Sequence, residues 1–254
     1  MPELLNLRSE AEIAKLREAG RIVATVLDHL KSLIEPGIST LELDREAEKM
    51  IRDAGAIPSF KGYGDPPFPG SICASLNEEV VHGIPTARRI LKDGDIISID
   101  VGACLDGYHG DAARTFTVGR VRPEVVKLVE TAEQCFWDGF AKATVNSRLG
   151  DISAAVQQTA ERNGYGVVRE LTGHGVGRRL HEPPDLPNYG QVGHGMRLEA
   201  GLVLALEPMI NLGTRRIRLL DDEWTIVTAD HQPSAHYENT FVVTREGPII
   251  LTAL

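Results

Sequence analysis

The 254-residue chain is 42% hydrophobic and 25% charged, with a formal net charge of -9. These values fit a globular protein with a sizeable core. The acidic balance argues against a basic surface for nucleic acid or acidic membranes. No run of about 18 apolar residues occurs, so no membrane span is expected. Cys73, Cys104 and Cys135 are odd in number and form no CxxC pair, so neither a disulfide framework nor a thiolate zinc site is indicated. The N-terminal stretch MPELLNLRSEAEIAKLREAG is charged and lacks a signal-peptide core. The expected compartment is the reducing cytoplasm.

Ser9 and Glu12 form a capping-box pattern opening a helix, and Ile13, Leu16, Val23, Leu27 and Leu30 keep one apolar face up to Ile34. Pro36 and Gly37 break it. Ser39 and Glu42 open a second helix, stopped near Gly55. After the Gly/Pro-rich loop KGYGDPPFPGS, ICASLNEEVVHGIP reads as a strand entering a turn. IISIDVGACLDGYHGDAARTFTVG reads as two strands joined at Asp106-Gly107.

The order then recurs. Val125, Leu128, Val129, Ala132, Cys135, Phe136 and Phe140 form a helical stripe, and Asp151 to Gly164 predicts a second helix with cap and stop. A histidine loop follows, then the strands GLVLALEPMI, EWTIVTA, AHYENTFVVT and PIILTA. The expectation is one α+β domain over residues 1–254: a mostly antiparallel sheet backed by two helix pairs, with an internal pseudo-two-fold inferred from element order.

Charge sits where it is costly. Asp100 interrupts the alternation of Ile97, Ile99 and Val101, and Asp111 lies on the returning strand. Glu207 follows the apolar run LVLAL, and Glu238 precedes the strand NTFVV. Buried carboxylates are unfavourable unless paired or bound to metal, and close pairs repel until one takes a proton or a cation intervenes. Each residue alone has an ordinary reading: a solvated strand-end Glu, an exposed strand Asp, a satisfied loop His. Jointly, Asp100, Asp111, His174, Glu207 and Glu238 point to a metal site. Two divalent cations would neutralise the four carboxylates. One imidazole among oxygens suits Mn, Fe, Co or Zn better than Ca.

The motifs NEEVVHGIP, DIISIDVGACLDGYHGDAARTF, TGHGVGRRLHEPP, ALEPM and SAHYENTFVVT resemble the methionine aminopeptidases, which have the pita-bread metallopeptidase fold. The resemblance covers nearly the whole chain. It implies that Asp100 holds one metal, that His174 with Glu207 holds the other, and that Asp111 and Glu238 bridge them. It further implies attack on the first peptide carbonyl by a hydroxide bridging the two metals, with Glu207 shuttling its proton. His82 then contacts the substrate near its amino end, and His181 hydrogen-bonds the scissile carbonyl or the tetrahedral intermediate. The implied S1 wall comprises Tyr63, Phe68, Cys73, His82 and Trp224. The ordinary reading of Cys73 is a small buried hydrophobe, and of Trp224 core or edge packing.

Several positions depart from the family pattern. GYGDPPFPG is longer than the common bacterial loop, Leu171 stands where an aromatic or Met is commoner, and Leu180 stands where Phe is frequent. VGHGMRL mimics TGHG but lacks the downstream His and paired prolines, and His109, His194 and His231 read as structural or solvent-facing.

The short interval between Glu207 and Glu238 leaves no room for the type II insertion, so the resemblance is to the short bacterial type I form. Removal of initiator methionine before a small second residue is the implied activity. Substrates would be N-terminal methionyl peptides and nascent chains. Transient ribosome contact, no direct nucleic-acid binding, no membrane and a monomeric state complete the expectation. The alternatives are an X-Pro peptidase of the same fold and a metal-free binding relative.

Overall fold

A computed structural model describes residues 6–254; residues 1–5, the start of the charged N-terminal stretch, lie outside the described residues. The first half contains α1 (Glu10–Leu33), α2 (Thr40–Asp53), β1 (Ile57–Pro58), β2 (Ile72–Leu76), β3 (Glu79–Val81), β4 (Ile96–Leu105) and β5 (Tyr108–Thr117). The second begins with α3 (Pro123–Phe140), α4 (Leu149–Arg162), β6 (Gly166–Val167), β7 (Thr172–Gly175) and β8 (Glu182–Pro187). It ends with β9 (Val203–Leu206), β10 (Met209–Asn211), β11 (Ile217–Leu219), β12 (Ile226–Thr228), β13 (Ser234–His236), β14 (Asn239–Thr244) and β15 (Gly247–Ile250).

Both predicted capping boxes form. Ser9 Oγ accepts from Glu12 N while Glu12 Oε2 accepts from Ser9 N, and Ser39 and Glu42 repeat the exchange. Gly55 adopts φ +77° just beyond α2, as a C-terminal stop requires. α4 starts earlier than expected. Its first residue is Leu149, and Asp151 sits inside the first turn, where its carboxylate accepts from Arg148 N at 2.7 Å. The acid caps from the third helical position rather than from in front of the helix.

The strand pairings among the described residues are antiparallel. Hydrogen bonding divides the sheet into pieces; the two largest are β4 with β1, β2 and β5, and the order β15-β14-β9-β7-β8. Ala113 and Glu238 exchange both backbone hydrogen bonds, 2.9 and 3.4 Å, and so tie β5 to the start of β14. The expected histidine loop is the strand β7, held between β8 and β9.

Each helix pair covers its own strands. Val23, Leu27, Leu30, Leu43 and Ile51 pack on Ile97, Ile99 and Val101, and Phe136, Ile152 and Val156 pack on Leu204, Leu206 and Phe241. Full burial of such a side chain stabilises by roughly 1.5–3 kcal/mol. A further cluster, Leu16, Tyr108, Val176, Val203, Ala205 and Val242, draws on both halves. α1 crosses β5 almost backbone to backbone: a Cβ on Gly110 would lie 2.7 Å from Gly20 N. The recurring order of helix pair then paired strands makes this an α+β fold with an internal pseudo-two-fold.

Candidate active site

Strand register builds the floor of the site. Asp106 (φ +50°) and Gly107 (φ +77°) make the tight turn of the β4–β5 hairpin. The pairs Asp100↔Ala113 and Gly102↔Asp111 follow, so Asp100 and Asp111 are diagonal neighbours on one face. In the other half Leu206 pairs with Asn239, which sets Glu207 and Glu238 beside each other at the strand ends. His174 pairs with Ala205, two positions before Glu207 and on the same face. Ligating atoms of Asp111, His174 and Glu238 lie within 4.8 Å of one another. His174 Nε2 is 3.6 Å from Glu207 Oε1 and 3.8 Å from Asp111 Oδ2.

These separations are wider than hydrogen bonds. Asp100 Oδ1, Asp111 Oδ1 and Glu238 Oε1 are buried without any hydrogen-bond partner. His174 Nδ1 lies 2.9 Å from Gly175 O. A carbonyl only accepts, so Nδ1 carries the proton and the Nε2 lone pair faces the carboxylates. Acceptors therefore converge on acceptors, which is the donor set a cation needs, with the imidazole oriented through its far nitrogen. The residues present fit divalent metal.

Electrostatics agree. Burial raises the Asp100 carboxyl to about 7. Burial, then the charges of Glu238 and Asp100, pushes Asp111 well above its ordinary value, and Glu207 and Glu238 rise for the same reasons. Burial lowers His174 to about 3, so it stays neutral and free to ligate.

A cavity of about 130 Å³ opens on this floor. All eleven residues singled out from the sequence line it: Asp100, Asp111, His174, Glu207, Glu238, His82, His181, Tyr63, Phe68, Cys73 and Trp224. Cys73 pairs with Asp100 across β2 and β4, which sets the wall directly beside the floor. Phe68 meets Trp224 edge to face at 5.2 Å, and His82 meets the same indole at 5.9 Å. Burial and the nearby carboxylates push the Cys73 thiol well up, so it is a neutral packing group. Burial brings His82 down to about 4. The rings of His174 and His181 are 4.2 Å apart.

The model of Metallopeptidase family M24 matches residues 14–245. The chain belongs to metallopeptidase family M24. It is thus a metal-dependent peptide hydrolase, and the buried acid–histidine cluster is consistent with divalent metal use. The chain is 52% identical to the methionine aminopeptidase of Clostridium perfringens, over 99% of this chain and 100% of that protein. The crystal structure of a methionine aminopeptidase from Thermotoga maritima superposes with a TM-score of 0.96 at 38% identity, covering 99% of this chain and 100% of that one. An Xaa-Pro dipeptidase from Bacillus anthracis shares the fold alone: TM-score 0.77 at 24% identity, with 97% of this chain covering 61% of that one. No helix among the described residues is long and apolar enough to cross a membrane.

The M24 site holds one residue that the sequence reading passed over. His236 is buried, its Nε2 lacks a hydrogen-bond partner, and it stands 3.8 Å from both Glu207 Oε2 and Glu238 Oε2. The signal was present: in HYE, strand alternation puts positions 236 and 238 on one face. The glycines beside His174 serve close packing. Neither Gly173 nor Gly175 has positive φ. A Cβ on Gly173 would collide with Ala205 O, and one on Gly175 would lie 2.5 Å from Pro183 O. They let strands approach closely around His174. Leu180 lines the cavity, whereas Leu171 is not among its lining residues and packs against the cluster of Val80, Val81, Val168 and Met209. His194 and His231 are exposed, and His109 Nδ1 pairs with Ser59 Oγ at 2.9 Å.

Proposed function

We propose that this chain is a short type I methionine aminopeptidase, removing the N-terminal methionine of peptides and nascent chains when the second residue is small. The observation that carries the reading is a small cavity of about 130 Å³, walled by Phe68, Cys73 and Trp224, set against a floor of unpartnered carboxylates. Phe68, Cys73 and Trp224 offer apolar and soft surface, which suits an unbranched thioether. Full-length similarity to named methionine aminopeptidases supports the same substrate.

Asp100, Asp111, His174, Glu207 and Glu238 are the proposed ligands of two divalent ions, drawn from Mn, Fe, Co or Zn. Such ions, when bound, supply Lewis acidity and lower the pKa of water. The chain's own groups do the rest. The pocket wall seats the methionine side chain and excludes water. His82 contacts the substrate near its amino end. His181 donates to the scissile carbonyl oxygen, an interaction that strengthens as charge develops there. Glu207 takes a proton from the attacking water and returns it to the leaving amine. The cluster joining the two halves supports residues 1–254 as one catalytic domain. The reading places the enzyme in the cytoplasm as a monomer, meeting nascent chains in transient contact with the ribosome.

The test uses the purified chain, dialysed and reloaded with each metal in turn. Methionine release from Met-Ala-Ser should depend on added metal and exceed proline release from any X-Pro dipeptide. Faster proline release would make it an X-Pro peptidase. Absence of both metal uptake and turnover would make it a binding protein.

A further inference from the structure

The Tyr63 hydroxyl lies 2.6 Å from His181 Nδ1, and the two rings meet edge to face at 5.1 Å. We propose that Tyr63 is a positioning residue: its hydroxyl donates to Nδ1 of His181, so that the proton of this imidazole resides on Nε2, the nitrogen available to the substrate carbonyl. The proposal rests on the role given to His181 above and deepens it.

The direction of the bond follows from the chemistry of the two groups. A phenol is a good donor and a poor acceptor, whereas the unprotonated nitrogen of imidazole is a good acceptor. The 2.6 Å separation places the two atoms in hydrogen-bond contact. With Nδ1 accepting, a neutral ring must carry its proton on Nε2. The neighbouring His174 has the opposite arrangement, because Gly175 O takes its Nδ1 proton and leaves Nε2 bare. Two imidazoles in contact are thus assigned opposite tautomers by their second partners, one suited to ligate and the other to donate.

Tyr63 is 41% exposed, so its placement must come from its loop. That loop closes on itself: Gly62 N donates to Phe68 O, Phe68 N to Tyr63 O, and Tyr63 N to Phe60 O, at 2.8, 2.8 and 2.9 Å. Trp224 Nε1 clamps it from outside by donating to Pro66 O at 3.1 Å. The long GYGDPPF segment is therefore an ordered arm that carries the phenol to the histidine.

Tyr63→Phe removes the hydroxyl and keeps the ring in the pocket wall. Its effect belongs in the transition state, so kcat should fall about tenfold while KM stays within about twofold. Metal content should not change. Long-range 15N NMR of the labelled chain, with and without zinc, reads the tautomer directly, with His181 signals assigned by their loss in His181→Ala. The wild type should show His181 protonated at Nε2 and bare at Nδ1, and Tyr63→Phe should shift the Nδ1 resonance. A wild-type Nδ1 that carries the proton, or a Tyr63→Phe variant with wild-type kcat, would overturn the proposal. Failure of the wild type to release methionine would count against the proposed function alone, and the NMR result would still decide the tautomer.

Discussion

The floor and the rim of the cavity are built from different material. Asp100, Asp111 and His174 stand on paired strands, Glu207 and Glu238 directly at strand ends, and their positions follow from backbone register. Tyr63, Phe68, His181 and Trp224 stand on connections between strands. Cations demand ligands fixed to fractions of an ångström, and a sheet supplies that rigidity. A pocket that sorts side chains needs shape, which loops vary without disturbing the sheet. Substitutions on the floor should therefore act on metal and stability, whereas those on the rim should act on kinetics.

The largest effect is expected at Asp111. Asp111→Asn replaces a proposed metal ligand with a neutral group of the same shape, so metal retention and turnover should fall to background. Repulsion within the metal-free cluster should fall as well, and the metal-free variant should melt about 3 °C above metal-free wild type. A variant that kept its metal, or melted lower without it, would break the distinction between floor and rim.

Gly173→Ala should follow. Its Cβ meets the backbone carbonyl of Ala205, which has no flexible end to yield. A loss of about 2 kcal/mol is expected in denaturant titration, with weaker metal binding as His174 shifts. On the rim, Trp224→Ala opens the pocket and frees the Pro66 contact. KM for Met-Ala-Ser should rise about tenfold, with unchanged metal content measured by atomic absorption.

The smallest effect concerns pH. Burial raises Asp100 from 3.8 to about 7 in the folded, metal-free state. A raised folded pKa contributes stability below the unfolded pKa, and that contribution is lost as pH rises through about 7. His174 and His236, lowered to about 3 by burial, oppose it, because their contribution is lost as pH falls. Replacing one carboxylate isolates its share. Between pH 4 and 7 the Tm of metal-free Asp100→Asn should fall less, or rise more, with pH than that of wild type, by a few degrees. Parallel slopes in calorimetry would show that Asp100 is not so perturbed.

Much of the floor was legible in the sequence, because a carboxylate in an apolar strand run is improbable without a partner. Asp100 among Ile97, Ile99 and Val101 carried that signal, as did Glu207 after LVLAL. The capping boxes and the Asp106-Gly107 turn are local chemistry and were equally readable. His236 is marked only weakly: alternation in HYE sets it on the face of Glu238, but a lone histidine in a strand has an ordinary buried reading, and its 3.8 Å approach to Glu207 and Glu238 shows only in the fold. In sequence TGHG reads as a loop because glycines suggest turning, whereas close approach to Ala205 and Pro183 depends on neighbours distant in sequence. The contact of Tyr63 with His181 joins two connections far apart in the chain, and no spacing rule reaches it.

The most direct test sets His174→Ala beside His181→Ala, adjacent rings assigned to floor and rim. Metal content after dialysis and kcat on Met-Ala-Ser are measured for both. The account predicts that His174→Ala loses metal and turnover together. It predicts that His181→Ala keeps its metal and loses about 10²–10³-fold in kcat. If His181→Ala released metal as readily as His174→Ala, the division between floor and rim would be contradicted.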